Sequence, residues 1–436
     1  PSMEITCTDG ILRIRKTSKT ETFGRSGNAA ESSTKSSTEE VRQVAHPGDA
    51  IREIISQYKS PVMDDMPTFT GGLVGYFSYD YLKYAEPTLR LDAEDTEGFK
   101  DVDLMLFDKV IAFDHFRQKI ILIVNMSLEE PQSAYNKAVM ELQQLCELLR
   151  HGAQKREPGG HLLGEMEPLF DKPAYCEMVE RAKHDIFQIV LSNRFSAPFE
   201  GSLLNTYRIL RTVNPSPYMF YFSGTDVEVA GASPETLVKL ENGVLHTFPL
   251  AGTRPRGKTE AEDRALEEDL LGDEKELAEH NMLVDLGRND LGKISTFGSV
   301  EVEKLHSIER YSHVMHIGST VRGELKEGFD ALDAIEAVLP AGTLSGAPKI
   351  RACQLIGALE NNKRGIYGGA IGYIDFTGNM DTCIAIRIAY QKNGKVFVRS
   401  GAGIVADSVP EKEFEECINK AKAVVSALHL AQEADV

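Results

Sequence analysis

Apolar residues recur along this chain with two spacings, and the switches between them mark out the elements. In the first third the spacing is mostly two. MEITCTDGILRIR sets Asp9-Gly10 between two β-rich runs and predicts a hairpin over residues 1–20. Residues 24–40, GRSGNAAESSTKSSTEE, are polar, lack aromatics and are expected as a loop. A short helix is expected over 48–59. GGLVGYFSYDYL and LMLFDKVIAFDHFRQKIILIVNM read as strands, the second turning back on itself near 114–118. Over 134–150 the spacing becomes helical, with Val139, Leu142, Cys146 and Leu149 on one face. Residues 151–162, HGAQKREPGGHL, read as a linker between a first region, 1–155, and a second, 160–430.

The second region opens with a helix over 172–186, the strand FQIVLSNRFSAPF and a helix over 202–213. YMFYFSG, VEVAGAS and TLVKLENGVLHTF follow as strands, the last with an Asn242-Gly243 turn. Short turns between neighbouring strands imply mainly antiparallel sheets. Helices come in separate blocks, so the expected class is α+β, with sheets sandwiched by outer helices.

Two helices carry polar stripes with chemical potential. Ser408-Val409-Pro410-Glu411 has the spacing of a capping box. Behind it, Phe414, Ile418, Ala421 and Val425 form an apolar stripe. Glu413, Glu416 and Lys420 form a second stripe about 130° away at ~100° per residue. Taken alone, such a stripe reads first as a solvated charged face. In GDEKELAEHNMLVDLGRND, Glu276 and Glu279 are again three apart. Two such helices facing each other would suit Mg²⁺, which takes one or two carboxylates and keeps waters for its other positions. Between them in sequence, Ile384, Ile386 and Ile388 alternate with Cys383, Ala385, Arg387 and Ala389. A strand there would put Arg387 among small residues, with room for a carboxylate ligand or a neighbouring acid. Gly401-Ala402-Gly403 leads into the last helix, and Gly342 and Gly346 precede another. Either turn offers backbone N–H groups to an anion, or is simply a turn.

Composition narrows the classes. Hydrophobic residues make up 42% and charged residues 26% of 436, as in soluble globular proteins. No run is long and apolar enough for a membrane span, and no signal peptide is recognisable. The six cysteines, 7, 146, 176, 353, 383 and 417, are scattered without C-x-x-C and read as reduced core residues of a cytoplasmic protein. A net charge of −18 argues against nucleic acid. It also means that an anionic substrate needs local positive charge, from Arg387, Lys420 or a cation. Neither G-x-G-x-x-G nor G-x-x-x-x-G-K-[ST] occurs, so a phosphate-transferring Mg²⁺ enzyme would lack its usual cradle.

Four strings, LPAGTLSGAPK, GGAIGYIDFTGNMD, RSGAGIVADSVPEKEFEECINKA and AEHNMLVDLGRNDLGK, resemble the chorismate-utilising enzymes. Among these the resemblance is to the large, component I subunits of anthranilate synthase. It covers most of 160–430, the chorismate-binding catalytic region, and GGLVGYFSYD extends it into 1–155. The resemblance implies conversion of chorismate and ammonia to anthranilate and pyruvate, the first step of tryptophan biosynthesis, with Mg²⁺ as cofactor. It implies Glu279 and Glu416 as metal ligands, with Glu276 and Glu413 assisting through water. Tyr367, Arg387, the Gly401, Ala402 and Gly403 backbone and Lys420 would hold one carboxylate of chorismate, the metal the other. Gly252, Thr253 and Thr343 match substrate-contacting positions. Glu235 matches the general acid that protonates the departing ring hydroxyl, and His316 the active-site histidine. By its own pattern His316 is as readily a core residue, with His306 and His313 equally eligible.

Two positions separate branches of that family. Isochorismate and salicylate synthases carry a water-activating Lys where this chain has Gln188. Aminodeoxychorismate synthases often carry a nucleophilic Lys where this chain has Ala251. An amide and an alanine fit direct attack by ammonia. The alternatives are an aminodeoxychorismate synthase and a catalytically silent paralogue. No nucleophilic Cys sits in a G-x-C-x-G turn, so a separate glutamine amidotransferase subunit is expected, in a heterodimer or heterotetramer. The family's L-tryptophan inhibition site has one half matched by Pro217, Tyr218 and Met219. Its other half, an L-L-E-S segment, is unmatched in a sequence that opens at PSMEIT.

Overall fold

A computed structural model describes residues 1–19, 35–153, 158–311 and 314–433. Residues 24–34 of the expected loop, 154–157 of the expected linker, and His313 lie outside the described residues. Two compact units form. One comprises Pro1–Phe77, Lys100–Arg156 and Gly372–Asn379, the other Ser78–Phe99, Glu157–Ile371 and Met380–Val436. The division is therefore not a single cut near residue 155, because each unit takes a segment from the other's stretch of sequence.

In the first unit, five antiparallel strands run in the order Gly72–Phe77, Val102–Phe107, Met3–Thr8, Ile11–Lys19, Lys35–Gln43. Asp9 and Gly10, at φ 47° and 76°, make the tight turn that the sequence predicts. Lys35–Gln43 corrects the expected loop: residues 35–40 are strand. Its Ser, Thr and Glu side chains have no apolar period to read. Pairing along Ile11–Lys19 makes it a strand. The hairpin Lys109–Asp114 and Lys119–Val124 forms as expected. The helix Pro131–His151 buries Ala138, while Val139, Leu142 and Cys146 are half-buried and Leu149 is exposed.

The second unit is built on two antiparallel sheets. One runs Leu250–Pro255, Val314–Glu324, Val244–Thr247, Thr236–Glu241, Met380–Ile384. The other runs Tyr218–Ser223, Glu228–Ser233, Ile388–Lys392, Lys395–Ile404, Gln188–Glu200, Gly346–Ala347. The helices Lys172–Ala182, Lys349–Glu360 and Pro410–Glu433 cover the second sheet over a core that includes Tyr175, Val179, Ile189, Cys353, Ile356, Ile404 and Cys417. This is the α+β arrangement expected. Four cysteines are buried, two half-buried, and all six are free. No described helix is long and apolar enough to cross a membrane.

Two sequence expectations are corrected here. The run 383–389 is not one strand. Met380–Ile384 ends in the first sheet, Ile388–Lys392 begins in the second, and Arg387 turns the corner at φ 52°. The apolar stripe of the last helix is also rotated. Beyond Pro410 at its start, its buried residues are Phe414, Cys417, Ala421, Val424, Ala427, Leu428 and Ala431, whereas Ile418 is 36% exposed. Cys417 and the alanines carry the packing, and these weak hydrophobes are outvoted in a pattern that counts Ile and Val. In addition, the Ser408 hydroxyl accepts the Val405 N–H (3.1 Å), so it holds the approach to the helix, which begins at Pro410.

Candidate active site

Two crossovers between the sheets set the centre of the site. Glu228–Ser233 belongs to the second sheet and Thr236–Glu241 to the first, so Pro234 and Glu235 bridge them. Residues 385–387 bridge them in the opposite direction. The bridges are stitched together. The Ile384 N–H donates to the Glu235 carbonyl (3.0 Å), the Ala232 N–H to the Arg387 carbonyl (3.2 Å), and the Ser233 hydroxyl to the Ile384 carbonyl (2.7 Å). Glu235 and Arg387 thus leave the sheets at one corner.

Both line a cavity of about 500 Å³, within the usual range for small-molecule sites. Glu276 and Glu279 enter it from the helix Glu274–Gly292, and Glu413, Glu416 and Lys420 from the helix Pro410–Glu433. Gln188, Gly252, Thr253, Thr343, Tyr367, Gly401 and Gly403 complete the expected set along its wall. Ala402, expected among them, does not line the cavity: it alternates away into the core. At two positions only glycine fits. A Cβ on Gly252, at φ 67°, would stand 3.2 Å from a Glu276 carboxylate oxygen. One on Gly401 would stand 2.8 Å from the Leu191 carbonyl and 3.0 Å from the Tyr367 hydroxyl.

The electrostatics separate two kinds of carboxylate. Burial pushes Glu235 up to about 7. The Thr343 hydroxyl, which donates to it at 3.0 Å, and the Lys420 and Arg387 charges only partly offset that rise. Burial, then the charge of Glu276, raises Glu279. Burial, then the charge of Glu416, raises Glu413, against a hydrogen bond from Ser408. Lys420 bridges Glu416 (2.7 Å) to the Gly401 carbonyl (3.0 Å). The Gln188 amide nitrogen donates to Glu279 at 3.0 Å.

Glu279 and Glu413 are raised first by burial and then by the neighbouring carboxylate, so a cation placed among the four acids would relieve both. Among the described residues, no three acidic, His or Cys side chains close into a ready-made cage. Oxygen donors spread around open space fit Mg²⁺, which uses few protein ligands and retains waters.

His316 stands behind the wall and does not line it. Its Nδ1 lies 2.8 Å from the Gly252 carbonyl and 3.1 Å from the Thr253 hydroxyl. A carbonyl can only accept, so Nδ1 carries the proton and Nε2 is bare. Burial lowers its pKa, which keeps the ring neutral. His306 bonds Asn281 (2.8 Å) beside the buried His280. Pro217, Tyr218 and Met219 lie off the cavity. The Tyr218 hydroxyl donates to Asp381 and pairs with the Thr236 hydroxyl, both at 2.8 Å.

Sequence reasoning missed Lys275 and Arg399, which also line the cavity. Lys275 was readable as the neighbour of Glu276. Arg399 is fully buried and donates to Glu360 (2.8 Å), as does Arg364 (2.6 Å), which also holds the Leu344 carbonyl (2.6 Å). Burial pushes Glu360 up, but the two guanidiniums outweigh it and hold the carboxyl low. This network fixes the segment bearing Thr343, and nothing local in the sequence pairs residues 360, 364 and 399.

A crossover-borne acid facing helix-borne carboxylates across a polar cavity is the arrangement of an enzyme site for a small molecule. The model of the family described as chorismate binding enzyme matches residues 12–426, and the chain belongs to that family. Within it, the chain is similar to anthranilate synthase component 1. The protein of that name from Aquifex aeolicus (strain VF5) is 48% identical over 402 residues, 89% of this chain and 80% of its own. That from Acetivibrio thermocellus is 46% identical over 89% of this chain and 81% of its own. The crystal structure of anthranilate synthase component I from Streptococcus pneumoniae TIGR4 superposes with a TM-score of 0.82 at 38% identity, covering 97% and 90% of the two chains. The menaquinone-specific isochorismate synthase MenF of Escherichia coli, at 19% identity and a TM-score of 0.66 over 97% and 96%, shares the fold.

Proposed function

We propose that this chain is the chorismate-converting component of an anthranilate synthase, turning chorismate and ammonia into anthranilate and pyruvate. The observation that carries the reading is one cavity holding both an acid poised near neutrality, Glu235, and the opposed pairs Glu276/Glu279 and Glu413/Glu416. The similarity to anthranilate synthase component 1 supports it.

Ammonia attacks ring carbon 2 while the hydroxyl on carbon 4 departs. Hydroxide is a poor leaving group, so Glu235 hands it a proton as the bond breaks. Glu235 suits the role because enclosure keeps it protonated to about pH 7. Arg387 and the Tyr367 hydroxyl hold one substrate carboxylate against the Gly401 and Gly403 backbone. Lys420 steadies that wall through the Gly401 carbonyl. His316 is a positioning residue that fixes the Gly252–Thr253 turn. Gln188 supplies no base, because an amide is not basic; its nitrogen donates to Glu279. Ammonia, already a nucleophile, needs none. Mg²⁺ held by Glu279 and Glu416, with Glu276 and Glu413 through water, would neutralise the ring carboxylate and draw electron density from the conjugated ring.

In this reading ammonia comes from a separate glutamine amidotransferase subunit, and the reaction is cytoplasmic, in keeping with six free cysteines. L-Tryptophan would act at 217–219, where Tyr218 pairs with Ser233, two residues before Glu235. The test is chorismate with Mg²⁺ and ammonium at mildly alkaline pH, followed by anthranilate fluorescence. Isochorismate or aminodeoxychorismate as the product, or no product, overturns the reading. Glutamine should replace ammonium only after an amidotransferase subunit is added.

A further inference from the structure

Glu235 and Thr343 line a second space besides the substrate cavity. A crevice of about 50 Å³ borders the crossover and is bounded also by Thr236, Thr247, Phe248, Gly287 and Asp290, none of which lines the substrate cavity. Phe248 and Gly287 are half-buried, so it reaches toward the surface there. The volume is enough for one or two waters. Asp290 is tied to Lys349 at 2.6 Å. The Thr247 hydroxyl is different: the residue is 6% exposed, and its oxygen has no hydrogen-bond partner among the described residues. It faces Gly287, where even a Cβ would approach it to 3.1 Å. A buried hydroxyl without a partner costs about 1–3 kcal/mol, and a bordering space of this size meets that cost with a water.

We propose that this crevice holds a water anchored by Thr247, and that the water returns protons to Glu235 through the Thr343 hydroxyl. The inference rests on the reading of Glu235 as the acid of the reaction. In each turnover the Glu235 O–H bond breaks and its proton leaves in the water formed from the ring hydroxyl, so a carboxylate remains. While substrate and product fill the front cavity, that carboxylate is shut off from solvent on that side. Thr343 already donates to it at 3.0 Å. Thr343 passes its proton to Glu235 and takes one from the crevice water, which is replenished by a proton from bulk solvent. The relay moves one proton from bulk to Glu235, and the turnover balances because the attacking nitrogen, an ammonium once bonded to carbon 2, releases one proton to bulk. Thr247 is a positioning residue here, acting only through the water.

Thr247→Val removes the hydroxyl at nearly constant volume, and Thr247→Ser keeps it. With chorismate, Mg²⁺ and ammonium, the valine variant should lose roughly tenfold in kcat, less than the ~10²–10⁴ of losing the acid itself. Its KM for chorismate should be unchanged, its solvent deuterium isotope effect should rise, and added imidazole buffer should restore part of kcat. The serine variant should recover most of the rate. A valine variant with the parent's kcat and isotope effect overturns the proposal. So does an equal loss in both variants, which would make the effect one of packing. A parent chain that makes no anthranilate overturns the functional reading, and this inference with it.

Discussion

The two kinds of carboxylate in this cavity are held by opposite means. Glu276, Glu279, Glu413 and Glu416 sit on long regular helices, at i and i+3, and owe their convergence to how those helices pack. Glu235 sits beside Arg387 at an irregular corner, where two strands leave one sheet for another and Arg387 adopts φ 52°. The helical group gathers four negative charges around open space, which suits a hydrated cation. The corner is singular: one acid, one guanidinium, and backbone hydrogen bonds that leave neither free to shift. The clustered charges are carried on regular helices, and the single buried acid sits on a crossover whose neighbour, Arg387, has left-handed backbone. Left-handed backbone at a non-glycine residue costs about 1–2 kcal/mol. A corner stitched by three hydrogen bonds can hold it.

Glu416→Ala should abolish Mg²⁺-dependent turnover, because a ligand is lost and Lys420 loses its partner at 2.7 Å. Activity at the parent's level, with the parent's Mg²⁺ dependence, would remove the helices from the metal site. Glu235→Gln should lower kcat about 10³-fold, the middle of the range for a general acid, while chorismate affinity holds. The sign of the pH dependence follows from its elevated pKa. The acid is competent below about 7 and is lost as pH rises through that value. At constant free ammonia, therefore, the rate should fall about tenfold per unit above pH 7, and this limb should vanish in Glu235→Gln. A parent profile flat from pH 6 to 9 at constant free ammonia would contradict the assignment.

That contrast also explains what the sequence could disclose. Glu276, Glu279, Glu413 and Glu416 were legible because helical period is local, and a spacing of three predicts a shared face whatever the tertiary structure. The Asp9-Gly10 and Asn242-Gly243 hairpins were legible for the same reason. The corner was not: 383–389 alternates like a strand, and only the arrival of a second sheet divides it at Arg387. Glu235 and His316 were selected by family resemblance, since nothing in G-A-S-P-E-T-L or S-H-V-M-H-I marks the acid or chooses among histidines. The strand Lys35–Gln43 was missed because its partner, not its own composition, makes it one. The Arg364–Glu360–Arg399 network was invisible because its members meet only after the second sheet has formed.

Arg387→Gly sharpens the contrast by separating strain from function. Glycine adopts φ 52° freely, so the corner should be preserved and thermal stability should hold or rise by about 1 kcal/mol. The charged contact to substrate disappears, and KM for chorismate should rise about 10–100-fold, as loss of ~1.5–3 kcal/mol implies. A fall in stability with KM unchanged would make Arg387 a structural residue and leave the corner to Glu235 alone.

The smallest effect tests the helical side. If Phe414, Ile418, Ala421 and Val425 made the buried stripe, Ile418→Ala would cost about 2–5 kcal/mol, as buried Ile→Ala changes do. The helix is instead turned so that Cys417, Val424 and Leu428 are buried and Ile418 is 36% exposed. At ~100° per residue, this brings the buried stripe to roughly 65° from the one bearing Glu413, Glu416 and Lys420, instead of about 130°. The rotation matters for chemistry. At the wider angle the acids would project toward solvent, whereas at the narrower one they flank the packed face and border the cavity. Ile418→Ala should therefore cost less than about 1 kcal/mol in denaturant unfolding, with turnover unchanged. A loss of several kcal/mol would mean the helix sits in the other rotation, and that Glu413 and Glu416 face away from Glu235.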